Sequence, residues 1–469
     1  MDRSLHKASG NVAGKGLGFW AVVAIGVGGM VGGGIFAVLG LSVRLARGGT
    51  PIAFAIAGVI ALLTTYSYSR LSVAYPGPGG TVTFLNRAFG SGSITGTLNV
   101  LLWLSYVVMI SLYAYAFGSY GATFFSEASQ PVMRHVLMSL SILVFAGLNV
   151  RGAAVVGRAE TWVVALKILI LLVFLGAGFW GVSRDRLAPA AWSPPLSLIA
   201  GGMIIFLAYE GFELIANTSH DVRNPKVTLP RAYFSAIIFV ISLYVLIAIV
   251  AVGNLPVAKI VSAQDYALAE AARPFMGNSG FTLIAVAALL STASAINATL
   301  YGAARLSYVI AKDGELPAFL ERNIWSKPLE GLLITTAATL LLANLCDLSS
   351  ISMMGSAGFL AIFATVNLAA AKLSRERVWP RAVSLAGALA CFVALLILIA
   401  RVATTSPGQL WLLVLLVGLA SGIEFLYRGL TGREIRLPVF RLHGPGRSVG
   451  DPSSGPAPTP HRSTPRPNA

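Results

Sequence analysis

Charged side chains are scarce in this chain: Asp, Glu, Lys and Arg make up 11% of 469 residues, against about 25% in soluble domains. So few charges exclude an ordinary water-soluble protein, and a hydrophobic share of 56% makes the bilayer the fitting solvent. Cysteine is scarcer still. Cys346 and Cys391 both lie in apolar segments, so no disulfide framework is implied and both read as small buried hydrophobes. None of the five histidines falls mid-membrane and no H-E-x-x-H occurs, which removes the usual intramembrane metal site. A G-x-x-x-x-G-K-[ST] phosphate loop is missing as well, which argues against a self-contained ATP-driven pump. No metal, no cofactor and no enzymatic chemistry are expected.

What the chain has instead is long apolar runs. Windows of about 20 apolar residues, the length a helix needs to cross a bilayer, predict twelve spans. They are centred near residues 31, 61, 107, 141, 171, 206, 242, 294, 337, 361, 391 and 418. The stretch from Asn254 to Gly277 contains Pro256, Lys259, Asp265 and Pro274, is too polar to span, and is expected as a loop with short surface helices. Residues 1–16 are polar and carry no cleavable signal pattern, so they are expected as a cytoplasmic N-terminus. Residues 429–469 are basic and Pro-rich, a composition that cannot bury enough apolar surface to fold, and are expected as a disordered cytoplasmic tail.

Charge placement orients the spans. With the N-terminus inside, 25 of the 34 lysines and arginines fall on the inner side and eight outside. This is the positive-inside bias, and it puts both termini in the cytoplasm. The formal charge of +16 thus has a topological origin and does not point to nucleic acid. Attraction of the tail to anionic lipid is compatible with it but not required.

Six glycines within nine residues, Gly26, Gly28, Gly29, Gly32, Gly33 and Gly34, interrupt the first apolar run. Each costs a helix interior about 1 kcal/mol relative to alanine, which a simple anchor has no reason to carry. Glycine lets the backbone leave the helix, and at membrane depth irregular backbone survives only inside protein or along a wet cavity. The cluster is a candidate binding site. Close helix packing is the alternative, and it weighs more for Gly26 and Gly28 than for Gly32 to Gly34.

Charges deep in the bilayer cost at least about 2.5 kcal/mol each and usually mark function. Lys167 in the fifth run, and Glu210 and Glu213 in the sixth, qualify. Snorkelling or structural pairing is the alternative for Lys167. Glu424 also sits in an apolar run, but four residues before Arg428, where an i to i+4 pair accounts for it. Tyr209, Glu210 and Gly211 interrupt the sixth run much as the glycines interrupt the first. Two interrupted spans, each opening one half of the chain, predict a transporter of inverted repeats. The repeats would cover about 16–182 and 196–373 of a core at 17–373, with two spans left over in 380–428.

Four stretches resemble one family. Gly32-Gly33-Gly34-Ile35-Phe36 looks like the G-x-G-[IV]-F signature in the first helix of the amino acid, polyamine and organocation (APC) transporter superfamily. YPGPGG at 75–80, FLAYEGFELIANTSHDVRNP at 206–225 and STASAINATLYGAARLSYVIAKDGELP at 291–317 agree with it in order and spacing. The chain is therefore similar to bacterial and archaeal amino acid permeases. The resemblance implies an all-α polytopic membrane protein with a LeuT-type fold, a 5+5 inverted repeat plus two additional helices.

It also implies a site. In such proteins a substrate carboxylate docks on freed amides at the second half of the first helix, here Gly33, Gly34 and Ile35 beside Gly32, as any anion does at a helix N-terminus. The substrate ammonium meets carbonyls released at the two breaks. Candidates are Val27 and Met30 on the first helix, and Phe206, Leu207 and Glu210 on the sixth. Phe206 and Tyr209 stand near the bend, where either closes over a ligand or packs the core, and Tyr106 and Tyr113 on the third helix are further aromatic candidates.

Coupling follows from the same resemblance. Several members place a lysine in the fifth helix where sodium-coupled relatives bind a cation, and Lys167 matches it. Proton coupling or sodium-independent exchange then follows more naturally than sodium symport. Ser291, Thr292 and Ser294 are the nearest hydroxyls on the eighth helix, polar glue being their alternative role. Glu213 matches an acid in the G-[FVW]-[DE] motif, a protonation or gating group. Glu210 stands where members are more often apolar, and either favours cationic amino acids or polyamines or bonds a neighbouring helix without seeing substrate. The expected function is a secondary active amino acid transporter of the cytoplasmic membrane working by alternating access, with the proton as coupling ion. An amino acid/polyamine exchanger and a non-transporting nutrient sensor are the alternatives.

Overall fold

The computed structural model describes residues 16–151, 156–312, 329–374 and 378–431, which are helical nearly throughout. The N-terminal segment before Gly16 and the basic tail beyond Thr431 lie outside the described residues. In chain order the helices are α1 (Phe19–Met30), α2 (Gly34–Ala46), α3 (Thr50–Ala74), α4 (Gly80–Phe89), α5 (Ser93–Ala122), α6 (Gln130–Arg151), α7 (Val156–Gly178) and α8 (Arg184–Leu187). They continue as α9 (Pro195–Ile204), α10 (Leu214–Asn217), α11 (Pro225–Asn254), α12 (Val257–Ser262) and α13 (Ala267–Lys312). The last four are α14 (Leu329–Leu345), α15 (Leu348–Leu373), α16 (Val378–Thr405) and α17 (Leu410–Thr431).

Among the described residues, nine helices are long and apolar enough to cross a membrane, and two bent pairs raise the number to eleven. The first pair, α1 with α2, bends by 47°, and the second, α9 with the Phe206–Asn217 stretch, by 48°. Apolar α14, of 17 residues, falls just short of the length used for a full span. The chain is a multi-pass membrane protein. Starts and stops follow local chemistry: α9 opens with Pro195 in its first turn, and α11 opens with Pro225 after Asn224 in the left-handed region. Asp347 caps α15 by accepting the Ser350 amide at 3.0 Å.

The two bent pairs run antiparallel. Leu17, just before α1, bridges Val222 beyond α10, while Arg47 at the end of α2 bridges Trp192 just before α9. The start of one broken helix thus lies beside the end of the other at both ends. Around them the core is graded. In the apolar window of α5, 89% of residues are buried, against 17% in that of α17, so α5 is a central post and α17 a peripheral one. The outward faces of α6, α7, α16 and α17 carry exposed Leu143, Leu169, Phe392 and Trp411, as lipid contact requires.

One expectation is revised in part by packing. The Asn254–Gly277 stretch holds one short helix, α12, with Ala258 and Lys259 exposed as expected, but its later part is not surface: Ala267, Leu268, Ala271 and Ala272 are buried, because a run of small residues lets this first part of α13 press into the bundle. Gly277, at φ +62°, then turns the chain into the spanning part of α13. The i to i+4 pair of Glu424 and Arg428 is present as expected, and it is buried. Arg428 also donates to the Ser91 carbonyl at 2.9 Å, fastening α17 to the segment that leads into α5.

Candidate functional site

The two broken helices cross at their breaks, and glycine permits the approach. A Cβ on Gly34 would lie 2.9 Å from the Cα of Ala208, and one on Gly211 would lie 2.5 Å from the carbonyl carbon of Gly29. Gly211 also takes a φ of +109°, which side chains of L-residues rarely adopt. At Gly33 a Cβ would meet Tyr113 Cδ1 at 2.5 Å and Thr292 Cγ2 at 2.9 Å, and at Gly32 the Ala295 Cβ at 3.1 Å. Gly26 and Gly28 face Ile215 and Val164, the helix packing expected of them.

A broken helix releases backbone groups that must find partners away from water. Here other helices supply them. Lys167 of α7, fully buried, donates from Nζ to the Gly28 carbonyl at 3.2 Å. Ser291 of α13 reaches the Gly32 carbonyl at 2.7 Å and that of Val31 at 3.1 Å. The Tyr244 hydroxyl of α11 spans both breaks, 2.6 Å from the Met30 carbonyl and 3.3 Å from that of Ala208. At the second break, Ser352 and Ser356 of α15 reach the Ile204 carbonyl at 2.6 and 3.0 Å, and the Leu207 amide donates to Ser356 Oγ at 3.2 Å.

The electrostatics of the first break are ordered. The C-terminus of α1 carries partial negative charge and receives the Lys167 ammonium, while the N-terminus of α2 presents the opening amides of Gly34, Ile35 and Phe36, which have no partners within the helix. An anion beside those amides and a cation beside α1 is the pattern such a gap favours.

Comparison with known proteins matches the same region. The amino acid permease family model covers residues 17–420, which takes in both broken helices, Lys167 and the serines of α13 and α15. The chain belongs to the amino acid permease family. This permease is 40% identical over 358 residues to an uncharacterised protein of Methanocaldococcus jannaschii, 76% of this chain and 82% of the other. It is 35% identical over 375 residues to the inner membrane transport protein YbaT of Escherichia coli, 79% of this chain and 87% of that protein. With the branched-chain amino acid permease BcaP of Bacillus subtilis it shares 23% identity over 446 residues, 88% and 92% of the two chains. The family and the two relatives named for transport indicate an amino acid transporter and not an enzyme.

Within the permease the residues singled out from sequence divide into two groups. Gly32, Gly33, Gly34, Ile35, Met30, Lys167 and Ser291 come together at the first break. The carbonyls of Val27, Met30 and Leu207 each already accept one bond, from the Val31 amide at 2.8 Å, Tyr244, and the Glu210 amide at 3.1 Å, and each keeps a second lone pair. The other group faces elsewhere. Tyr209 donates to the Phe54 carbonyl at 2.9 Å, and Phe206 packs on Phe363 with ring centroids 6.0 Å apart. The Thr292 hydroxyl turns back to the Ala288 carbonyl of its own helix at 2.7 Å, and half-buried Ser294 is not bonded to either break. Glu210 and Glu213 are both buried at the second break, with Tyr106 donating to Glu213 at 2.8 Å. Tyr244, Ser352 and Ser356 escaped the sequence reading. The two serines stand four apart on one helical face of an apolar run, a legible signal; nothing sets Tyr244 apart from other tyrosines.

Proposed function

We propose that this permease is a secondary active amino acid carrier of the cytoplasmic membrane, working by alternating access and driven by protons rather than sodium. In this reading it has twelve spans with both termini inside, and a LeuT-type core of two inverted halves, 16–182 and 196–373, followed by two further helices. The antiparallel course of the two similarly bent helices supports the inverted halves. The substrate carboxylate docks on the amides opening α2, at Gly33, Gly34 and Ile35, and its ammonium on the carbonyls of the two breaks. BcaP carries branched-chain amino acids by its name, which favours an amino acid substrate here.

One observation carries the coupling: the buried Lys167 ammonium on the Gly28 carbonyl. A fixed ammonium stands where a metal cation would otherwise neutralise the carbonyl end of α1, so sodium has no vacancy to fill. In this reading the proton that Lys167 carries is the one exchanged during transport. Ser291 holds the adjoining carbonyls in place during that exchange. Lys167→Ala should abolish accumulation driven by a pH gradient in proteoliposomes while leaving substrate exchange. Undiminished concentrative uptake in the variant contradicts the proposal. Exchange between an amino acid and a polyamine, the second reading, would show as uptake that requires polyamine loaded inside. A sensor would show binding with flux no greater than leak.

A further inference from the structure

Two broken helices make one site only if their breaks keep a fixed distance. Near both ends the backbone joins them, through Leu17 with Val222 and Arg47 with Trp192. Between those ends a side chain does the same. Tyr244 of α11 places its hydroxyl 2.6 Å from the carbonyl of Met30, the last residue of α1, and 3.3 Å from that of Ala208 in the second break. Lys167 and Ser291 bond the first break, and Ser352 and Ser356 the second; Tyr244 bonds both. The hydroxyl is held in place by its ring. That ring is fully buried against Phe54, with centroids 6.0 Å apart, and against Tyr209 at 5.2 Å, while Tyr209 is itself fastened to the Phe54 carbonyl at 2.9 Å. Ala208 in turn abuts the start of α2, where a Cβ on Gly34 would lie 2.9 Å from its Cα and 3.6 Å from its carbonyl oxygen. The end of α1, the start of α2 and the second break therefore meet around one tyrosine.

A free α-amino acid carries opposite charges on one carbon, so gripping both at once needs amides and carbonyls at a set spacing. The opening amides belong to α2, whereas the released carbonyls belong to both breaks. A hydroxyl suits the tie because it is neutral. An ammonium in its place would repel the ligand's own, while the hydroxyl reaches both carbonyls and leaves each a second lone pair. We propose that Tyr244 is a positioning residue: its hydroxyl sets the separation between the amides of α2 and the carbonyls of the two breaks, so that both charged ends of the ligand are held together. It acts on the groups common to all amino acids, and its effect is independent of the ligand's side chain. The inference rests on the carrier reading for what the ligand is; the tie between the breaks stands on the geometry.

Displacement of labelled leucine from the full-length protein in lipid nanodiscs tests this with three probes: leucine, isocaproate, which lacks the amine, and isoamylamine, which lacks the carboxylate. Leucine is chosen because BcaP is named for branched-chain amino acids. Tyr244→Phe keeps the ring and removes the hydroxyl. It should weaken leucine about tenfold and each one-ended analogue by less than about twofold, and in proteoliposomes KM should rise with kcat kept. Phe54→Leu keeps the hydroxyl but loosens the ring that aims it, and should weaken leucine by about threefold, so the test stands if Tyr244→Phe does not fold. Leucine affinity unchanged in both variants overturns the inference. An equal fall for all three probes overturns it too, leaving Tyr244 as support for the fold alone. Where the parent does not bind leucine, alanine with propionate and ethylamine replaces the set. A parent that binds neither amino acid overturns the carrier reading and this inference with it, whereas parent binding that the variants leave intact overturns the inference alone.

Discussion

The gap between α1 and α2 is three residues long and built of valine and glycine, whereas that between α9 and α10 runs through a 3-10 turn, Phe206–Tyr209, and two glutamates. The bends are nearly equal, 47° and 48°. Their caps are not. The first break takes a lysine, a serine and a tyrosine from three different helices, and the second shares that tyrosine and adds two serines from one helix. Equal bending therefore hides unequal chemistry. The first break has a fixed positive charge and open amides, suited to a charged ligand group, while the second has two buried acids and a redundant pair of hydroxyls.

Substitutions that break the comparison are ordered by expected size. Gly211→Ala should be the most damaging, because the new Cβ meets Gly29 backbone at a φ that disfavours it. Strain and overlap together cost on the order of 3–5 kcal/mol, read as loss of folded, monodisperse protein on size exclusion. Ser291→Ala should follow, since two carbonyls at the first break lose the hydroxyl shown reaching them, at about 1–3 kcal/mol and with weakened substrate binding by calorimetry. Ser352→Ala should cost less, about 1 kcal/mol, because Ser356 still reaches the Ile204 carbonyl. A larger fall in thermal stability for Ser352→Ala than for Ser291→Ala would remove the contrast between two carbonyls that share one hydroxyl and one carbonyl served by two. Tyr209→Phe should be the mildest, lowering the melting temperature slightly and leaving KM unchanged, since its hydroxyl serves the Phe54 carbonyl. A raised KM would place Tyr209 against the ligand.

Much of this was legible in composition and spacing, because the bilayer forces long apolar helices and makes every interruption conspicuous. Each predicted window falls on a helix or a bent pair. The glycines marked the first break, and Lys167 stood out because charge at that depth is rare. What the sequence hid depends on contacts between distant segments. The burial of Ala267 to Ala272 follows from small residues meeting the bundle, not from local polarity. Tyr244 is one tyrosine among 14, and only the antiparallel crossing brings its hydroxyl between Met30 and Ala208. Glu210 was ambiguous for a similar reason: its surroundings depend on a turn whose shape follows from Gly211 meeting Gly29.

The central claim, amino acid transport driven by protons with sodium excluded by a resident lysine, meets its most direct test in sodium-free proteoliposomes holding the parent protein under an inward proton gradient. The account predicts that a labelled neutral amino acid accumulates above its outside concentration and that a protonophore collapses the accumulation. Uptake that never exceeds leak, or that appears only when sodium is added, would contradict it.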